Sequence, residues 1–148
     1  MLEFEEGREG LHRLIYASRF SNDEDFGETV RSILAASIQN NRLVDVTGFL
    51  LIGEERFLQW LEGPAASVRE TFARIEKDSR HTDLMRIADG PAERRRFHDW
   101  NMGQHRLSAQ DQALLSEVGL EQFNPAGLDA DRAERLLTRL GERHLRGG

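Results

Sequence analysis

The chain contains 148 residues with a formal net charge of −6, and 39% of its residues are apolar and 31% charged. These values are typical of a single globular domain with a hydrophobic core, and the negative charge argues against broad electrostatic binding to nucleic acid or to a membrane. Cysteine is absent, which excludes disulfides, thiolate catalysis and cysteine-ligated metals. The segment MLEFEEGREG has no signal-peptide region, and no apolar run approaches the about 20 residues of a membrane span, so we expect a cytoplasmic protein.

The first elements predicted along the chain are a strand and an amphipathic helix. LHRLIYAS (11–18) alternates, with Leu14, Tyr16 and Ser18 on one face and Arg13, Ile15 and Ala17 on the other. Ser21 then stands three residues before Glu24, which is the spacing of a capping box. Apolar residues recur at helical intervals over 26–38, so we expect a helix that ends near Asn40 and Asn41.

A hairpin and a second helix follow. VTGFLLIG (46–53) and RFLQWLEG (56–63) read as two strands separated by Gly53-Glu54-Glu55, a turn signal. The first of these strands is apolar on both faces, so both sides of the sheet must be covered. Pro64 is favourable at a helix start, and apolar residues recur after it at positions i, i+4 and i+7. They are Val68, Phe72 and Ile75.

The remaining segments predict two strands and a helical tail. LMRIAD (84–89) and RRFHDWNMGQ (95–104) are the two predicted strands. The complete order of elements is then βαββαββ. This order predicts a ferredoxin-like α/β (α+β) fold with both long helices on one face of the sheet and right-handed crossovers. The tail carries an apolar stripe that predicts helices covering the other face, namely Ala133, Leu136, Leu137 and Leu140. We divide the chain into an N-terminal tail (1–10), a core (11–104) and a C-terminal helical cap (105–148).

Gln59 is an uncharged amide in the middle of a predicted buried strand. Alternation places it with Phe57 and Leu61, on the face opposite Leu58, Trp60 and Glu62. On that face it can meet Tyr16 and the carboxamides of Asn40 and Asn41. None of these groups is a strong acid, base or nucleophile, but together they suit hydrogen bonding to the polar edge of a planar heterocycle.

The sequence resembles the BLUF family of blue-light sensors, which bind flavin. Five motifs over about residues 11–104 carry the resemblance, in the family's order and spacing. They are RLIYAS with Tyr16, NN with Asn41 seven residues before Gly48 of VTG, FLQWLEG with Gln59, RIEKDSRH, and RRFHDWNM with Trp100 and Met102. The sequence departs at Trp60, where many relatives have an aliphatic residue. The resemblance implies a non-covalent flavin, FAD with FMN as the alternative, between the two long helices.

The resemblance also implies roles for individual residues. The implied photoactive residues are Tyr16, Gln59, Trp100 and Met102. The implied cofactor-binding residues are Asn40, Asn41, Gln59, Arg74, Asp78, Arg80 and His81. In the family's terms, a photoexcited flavin takes an electron and a proton from the tyrosine and leaves the glutamine rotated or tautomerised. Trp100 and Met102 are two apart and are expected on one face of the last strand, from which the signal passes to the helical tail and an unknown partner protein.

The same residues also have purely structural interpretations. Tyr16 and Gln59 can be satisfied core residues, and Asn40 and Asn41 can be a left-handed helix cap. Arg74 and Asp78, four apart, can form a surface ion pair, while Arg80 and His81 can be cations that favour a helix C-terminus. RRR (94–96) is interpreted as a solvated loop without function. The five histidines show no metal-ligand spacing.

Two other classes of function compete with a photoreceptor. A small hydrolase of the acylphosphatase type, or a metabolite-binding module, can share the fold. A hydrolase of this type needs an anion-binding loop with a paired Arg and Asn. The first loop, SRFSNDED (18–25), is acidic instead, which argues against the hydrolase. A scaffold protein without a chromophore is the third class. We expect a photoreceptor and not an enzyme, because the about 44 residues after 104 are few for a catalytic output domain. We also expect a homo-oligomer.

Overall fold

The computed structural model describes residues 10–20, 26–53 and 55–147. The elements in chain order are β1 (Leu11–Phe20), α1 (Phe26–Leu43), β2 (Thr47–Gly53), β3 (Arg56–Pro64), α2 (Ala65–Lys77), β4 (His81–Pro91), β5 (Gly103–Arg106), α3 (Gln112–Glu117) and α4 (Ala130–Gly147). The order βαββαββ is therefore confirmed. The predicted capping box of Ser21 and Glu24, and Glu54 of the predicted turn, lie outside the described residues.

The five strands form one mixed sheet in the order β4-β1-β3-β2-β5. β1 is antiparallel to β3 and β4, β2 is antiparallel to β3, and β5 runs parallel to β2. This arrangement confirms the ferredoxin-like fold with one added edge strand. No helix in the part of the chain that the structure describes is long and apolar enough to cross a membrane.

Each face of the sheet carries its own buried layer, because side chains alternate along the strands. On the α1/α2 face, Leu14, Tyr16 and Leu61 pack with residues of α1 and α2. On the α3/α4 face, Ile15 and Trp60 pack with residues of α3 and α4. β2 contributes to both layers, which explains why its sequence is apolar at nearly every position.

The tail covers the second face of the sheet as predicted. The stripe on α4, Ala133, Leu136, Leu137 and Leu140, has no exposed surface. Full burial of a leucine side chain stabilises a fold by about 1.5–3 kcal/mol, so this stripe is sufficient reason for α4 to pack on the sheet.

The predicted strand over residues 95–104 is wrong for most of its length. β5 begins only at Gly103, and residues 95–102 are irregular. The backbone N–H groups of Arg96 and Phe97 bind the Glu62 carboxylate at 2.9 and 2.6 Å, so they cannot pair with a neighbouring strand. We call residues 95–102 the crossing segment, because it passes from one face of the sheet to the other.

Trp100 and Met102 consequently do not share a face. Trp100 stacks on Phe49 on the α3/α4 face, with ring centroids 5.6 Å apart, whereas Met102 belongs to the layer under α1 and α2. The prediction of one shared face fails because the strict alternation of side chains holds only for an extended strand.

The interpretation of RRR as a solvated loop is also wrong for its middle residue. Arg95 donates to the Thr47 hydroxyl at 2.9 Å and to the Asp45 carbonyl at 2.8 Å, and only 18% of its side chain is exposed. Arg94 and Arg96 are exposed, as expected. Arg95 thus connects the crossing segment to the turn that precedes β2.

Candidate functional site

A cavity of about 340 Å³ lies between α1 and α2, above β1 and β3. Its walls come from one face of each helix, because the lining positions recur three or four residues apart. From α1 these are Ile33, Ala36, Ser37, Asn40 and Asn41, and from α2 Thr71, Arg74, Ile75 and Lys77. Tyr16, Gln59, Leu61, Asp78, Arg80 and His81 complete the lining.

Tyr16 and Gln59 face each other across β1 and β3 at the bottom of this cavity. They are directly paired in the strand register, and both are almost fully buried. The Tyr16 hydroxyl donates to Gln59 Oε1, and Gln59 Nε2 donates to the sulfur of Met102 at 3.1 Å. The expected meeting of Tyr16 and Gln59 is confirmed, and both ends of the amide have a partner.

The environment of Tyr16 keeps its phenol protonated. Burial raises the pKa of Tyr16 far above its ordinary value, and the negative charge of Asp78 raises it further. The Phe72 ring packs against Tyr16, with centroids 5.3 Å apart. The hydroxyl is therefore a donor to Gln59 at any physiological pH.

Asn41 connects the end of α1 to the crossing segment. Its Nδ2 donates to the Asn101 carbonyl at 2.8 Å, and its own carbonyl accepts from Val44 and Val46 at 3.2 and 2.9 Å. The left-handed residue after the helix is Asp45, with φ 61°, so the interpretation of Asn40 and Asn41 as a left-handed cap is wrong. Asn41 is buried, whereas Asn40 is half-buried on the cavity wall.

The mouth of the cavity carries a bidentate ion pair between Asp78 and Arg80. Arg80 Nε lies 2.9 Å from Oδ1, and its terminal nitrogen lies 2.6 Å from Oδ2. These hydrogen bonds hold the pKa of Asp78 below and that of Arg80 above its ordinary value. The alternative interpretation of Arg74 and Asp78 as an ion pair on one helix face is wrong, because α2 ends at Lys77, Asp78 has an extended backbone, and its carboxylate pairs with Arg80.

His81 lies inside the cavity wall and is not a cation at a helix end. It is buried, begins β4, and forms a hydrogen bond of 3.0 Å between Nδ1 and the Ser18 hydroxyl. Burial lowers the pKa of His81, Asp78 opposes that effect, and Arg80 reinforces it. A neutral imidazole at pH 7 follows, and it offers one donor and one acceptor.

The cavity combines features that suit one kind of ligand. Ile33, Leu61 and Ile75 supply apolar walls, and buried amides supply donors and acceptors. Arg74 and Lys77 add positive charge at the rim, beyond the Arg80–Asp78 pair. A planar heterocycle with a polar edge and an anionic tail fits these groups, and the volume lies within the range of small-molecule sites.

The family model "BLUF: Sensors of blue-light using FAD" matches residues 11–103. The chain belongs to the BLUF family. The family's cofactor is FAD, and the donors, acceptors and rim cations of this BLUF domain fit such a group. Membership in this family favours a photoreceptor function over the two alternative functions, a hydrolase and a scaffold protein.

Relatives of this BLUF domain include proteins with different outputs. The photoactivated adenylate cyclase subunit beta of Euglena longa is 33% identical over 93 residues, which are 62% of this chain and 11% of the relative. The blue light- and temperature-regulated antirepressor BluF of Escherichia coli is 33% identical over 87 residues, which are 59% of this chain and 21% of the relative. The chain thus covers only a small part of these relatives.

A solved structure extends the likeness beyond the family model. The photo-activated state of BlsA superimposes with a TM-score of 0.82 at 27% identity, covering 88% of this chain and 94% of that one. The described tail of this BLUF domain therefore has a counterpart in a known fold.

All seven residues predicted to bind the cofactor line one cavity of this BLUF domain, together with Tyr16. Met102 reaches Gln59 from the crossing segment, and Trp100 lies on the opposite face. Seven wall residues were not among the predicted site residues, namely Ile33, Ala36, Ser37, Leu61, Thr71, Ile75 and Lys77. Four of them were detectable, because Ile33, Ala36 and Ser37 lie seven, four and three residues before Asn40, and Thr71 lies three residues before Arg74, on the same helical faces. That these residues hold the flavin stays a prediction.

Proposed function

We propose that this chain is a blue-light photoreceptor whose switch is the hydrogen-bonded chain from Tyr16 through Gln59 to Met102. The observation that supports the proposal is the buried chain itself, in which the amide donates to one neighbour and accepts from the other. A flavin bound in the cavity supplies a photoexcited oxidant. All further steps are carried by side chains of this protein.

Tyr16 is the residue suited to lose an electron. Because its raised pKa keeps the phenol protonated in the dark, loss of the electron is accompanied by release of the hydroxyl proton along its existing hydrogen bond to Gln59 Oε1. Trp60 and Trp100, the two tryptophans, both pack on the α3/α4 face. They are therefore poor substitutes for Tyr16 as electron donors to the cavity.

Return of the electron and the proton to the Tyr16 radical restores the phenol, and Gln59 stores the event as a changed hydrogen-bond pattern. Its oxygen and nitrogen ends are nearly isosteric, so rotation of the amide exchanges donor and acceptor at little steric cost. After rotation, Nε2 faces the Tyr16 oxygen and Oε1 faces the Met102 sulfur, which has no hydrogen to donate. Met102 loses its favourable contact in that state. Tautomerisation is the alternative, and it also changes which end of the amide donates.

We assign the flavin to the cavity residues by their chemistry. Asn40, Asn41 and Gln59 suit the polar edge of the ring system, and Arg74 and Arg80 suit an anionic phosphate chain. Asp78 orients Arg80 through its bidentate pair, and neutral His81 adds one donor and one acceptor.

The output is proposed to be a partner protein and not a reaction catalysed by this chain. The matched segment is a small part of a cyclase and of an antirepressor, which supports a sensing role that is separate from the output. We propose that residues 11–104 sense light and that the helical cap after residue 104 transmits it. Self-association is part of the proposal, and light scattering in dark and light measures it.

Absorption spectroscopy tests the proposed function. The purified protein is expected to be yellow, and blue light should shift its absorption reversibly to longer wavelength. Release of the flavin followed by mass determination distinguishes FAD from FMN. Protein that stays colourless after reconstitution with flavin would contradict the proposal.

A further inference from the structure

Glu62 is a charged residue of β3 with no exposed surface, on the face opposite Gln59. Four donors surround its carboxylate. Oε1 accepts from Trp60 Nε1 at 3.2 Å and from the Arg96 N–H at 2.9 Å, and Oε2 accepts from the Phe97 N–H at 2.6 Å and from the Thr47 hydroxyl at 3.3 Å. Burial of a charge is costly unless it is compensated by hydrogen bonds, and here both oxygens are fully used.

These hydrogen bonds fix the start of the crossing segment. Its far end is held separately, because Gly48 N–H donates to the Trp100 carbonyl at 3.0 Å and Asn41 Nδ2 donates to the Asn101 carbonyl at 2.8 Å. A Cβ at Gly48 would lie 1.9 Å from the Trp60 carbonyl oxygen, so only glycine fits at this close approach. The crossing segment is thus a short bridge attached at both ends.

The same bridge joins the two faces of the sheet. Met102 contacts Gln59 on the α1/α2 face. Phe97 and Trp100 stack with nearly parallel rings on the other face, with centroids 6.0 Å apart. Trp100 in turn meets the His144 ring of α4 edge-on, at 6.4 Å. A displacement of Met102 therefore has a direct mechanical route to α4.

We propose that Glu62 is a positioning residue that makes this route effective. Because it anchors the crossing segment at Arg96 and Phe97, a displacement of Met102 moves Trp100 against α4, whereas a segment held at this end only through Arg95 absorbs the displacement by relaxing. This inference rests on the proposed photoreceptor function. It concerns how the signal leaves the site, and not whether the site responds to light.

Glu62→Gln is the sharpest test, because it keeps the shape and removes one accepting oxygen. The N–H groups of Trp60, Arg96 and Phe97 can only donate, so the new NH2 group must face either Phe97 N–H or the pair of Trp60 and Arg96, whichever way the amide turns. The matched control is Glu117→Gln, which removes the carboxylate that pairs with Arg139 of α4 at 3.0 Å without touching the crossing segment.

The measurements are the light-minus-dark absorption spectrum and amide hydrogen exchange of α4 in dark and light. For Glu62→Gln we expect the wild-type absorption shift and an about fivefold smaller light-induced change in α4 exchange. Glu117→Gln should keep both responses. A purely structural role of Glu62 would alter exchange equally in dark and light and would leave their difference unchanged.

The outcomes separate this inference from the function on which it rests. Wild-type protein without any absorption shift contradicts the photoreceptor itself. A wild-type shift without a light response in α4, or a full α4 response in Glu62→Gln, overturns the role of Glu62 alone. If Glu62→Gln does not fold, Thr47→Val removes one of the four donors at constant volume. It should reduce the α4 response, and an undiminished response overturns the inference.

Discussion

Tyr16 offers an unusually clean test because it is the only tyrosine in the chain. Tyr16→Phe removes the hydroxyl and leaves the ring packed against Phe72. The cost should be about 1 kcal/mol for the lost hydrogen bond to Gln59, so folding and flavin binding survive. We expect a yellow protein whose absorption no longer shifts reversibly under blue light. A reversible wild-type shift in this variant would eliminate Tyr16 as the required electron donor.

Gln59→Leu tests the amide in the same way. Leucine fills a similar volume but can neither accept from Tyr16 nor donate to Met102, so the flavin should stay bound while the long-wavelength lit spectrum disappears. Gln112→Leu is the matched control, because it makes the same substitution at an exposed glutamine of α3 that does not line the cavity. It should keep the absorption shift. A normal light-minus-dark spectrum in Gln59→Leu would refute the switch role of the amide.

The attachment of α4 depends on a second buried carboxylate, Asp111, which lies between three elements. It accepts from His105 of β5 at 2.9 Å, from the Ser108 N–H at 2.9 Å and from Arg143 of α4 at 2.7 Å. Burial alone would raise the pKa of Asp111, but these hydrogen bonds outweigh burial and hold the pKa below its ordinary value. His144 adjoins the same group through a 2.9 Å contact with His105, and its own pKa is lowered by burial and by the neighbouring His105 and Arg143.

The sign of the pH dependence follows from that direction. Because the folded state holds the pKa of Asp111 below the unfolded value, its contribution to stability is complete above the unfolded value and is lost as pH falls through the folded one. Asp111→Asn should lower the free energy of unfolding by about 2 kcal/mol at pH 7. The difference from wild type should shrink in acid. Urea denaturation across pH measures it, and a constant difference would contradict this assignment.

Light should act on the molecule as a whole by changing the α3/α4 layer and not the fold. Trp100 joins the layer under α4, where the apolar stripe is fully buried. A small shift at this contact should therefore change how often α4 opens locally more than it changes the average position of α4. We expect amide exchange from residue 104 onward to differ between dark and light, while β1 and β3 stay equally protected. Equal protection of the tail in both states would count against a transducing role.

Local sequence patterns were sufficient to predict much of the structure of this protein. Alternation along β1 and β3 is a property of any extended strand, so the residues that share a face with Tyr16 and with Gln59 followed from their positions alone. The sequence allowed the two residues to meet, and the strand register pairs them. The apolar stripe of α4 was equally predictable, because helical periodicity and burial have the same cause. The motifs also led to the family and therefore to the flavin.

Other features depend on contacts between residues that are distant in the chain. The crossing segment reads as a strand, but the Glu62 carboxylate takes the N–H groups that a strand would pair, 34 and 35 residues away. Arg95 is half-buried for a similar reason, since its partners Asp45 and Thr47 reach it only when β2 and β3 are in register. Hydrogen-bonding groups bind whichever partner the folded chain brings within reach, and that partner is a property of the tertiary structure and not of local sequence.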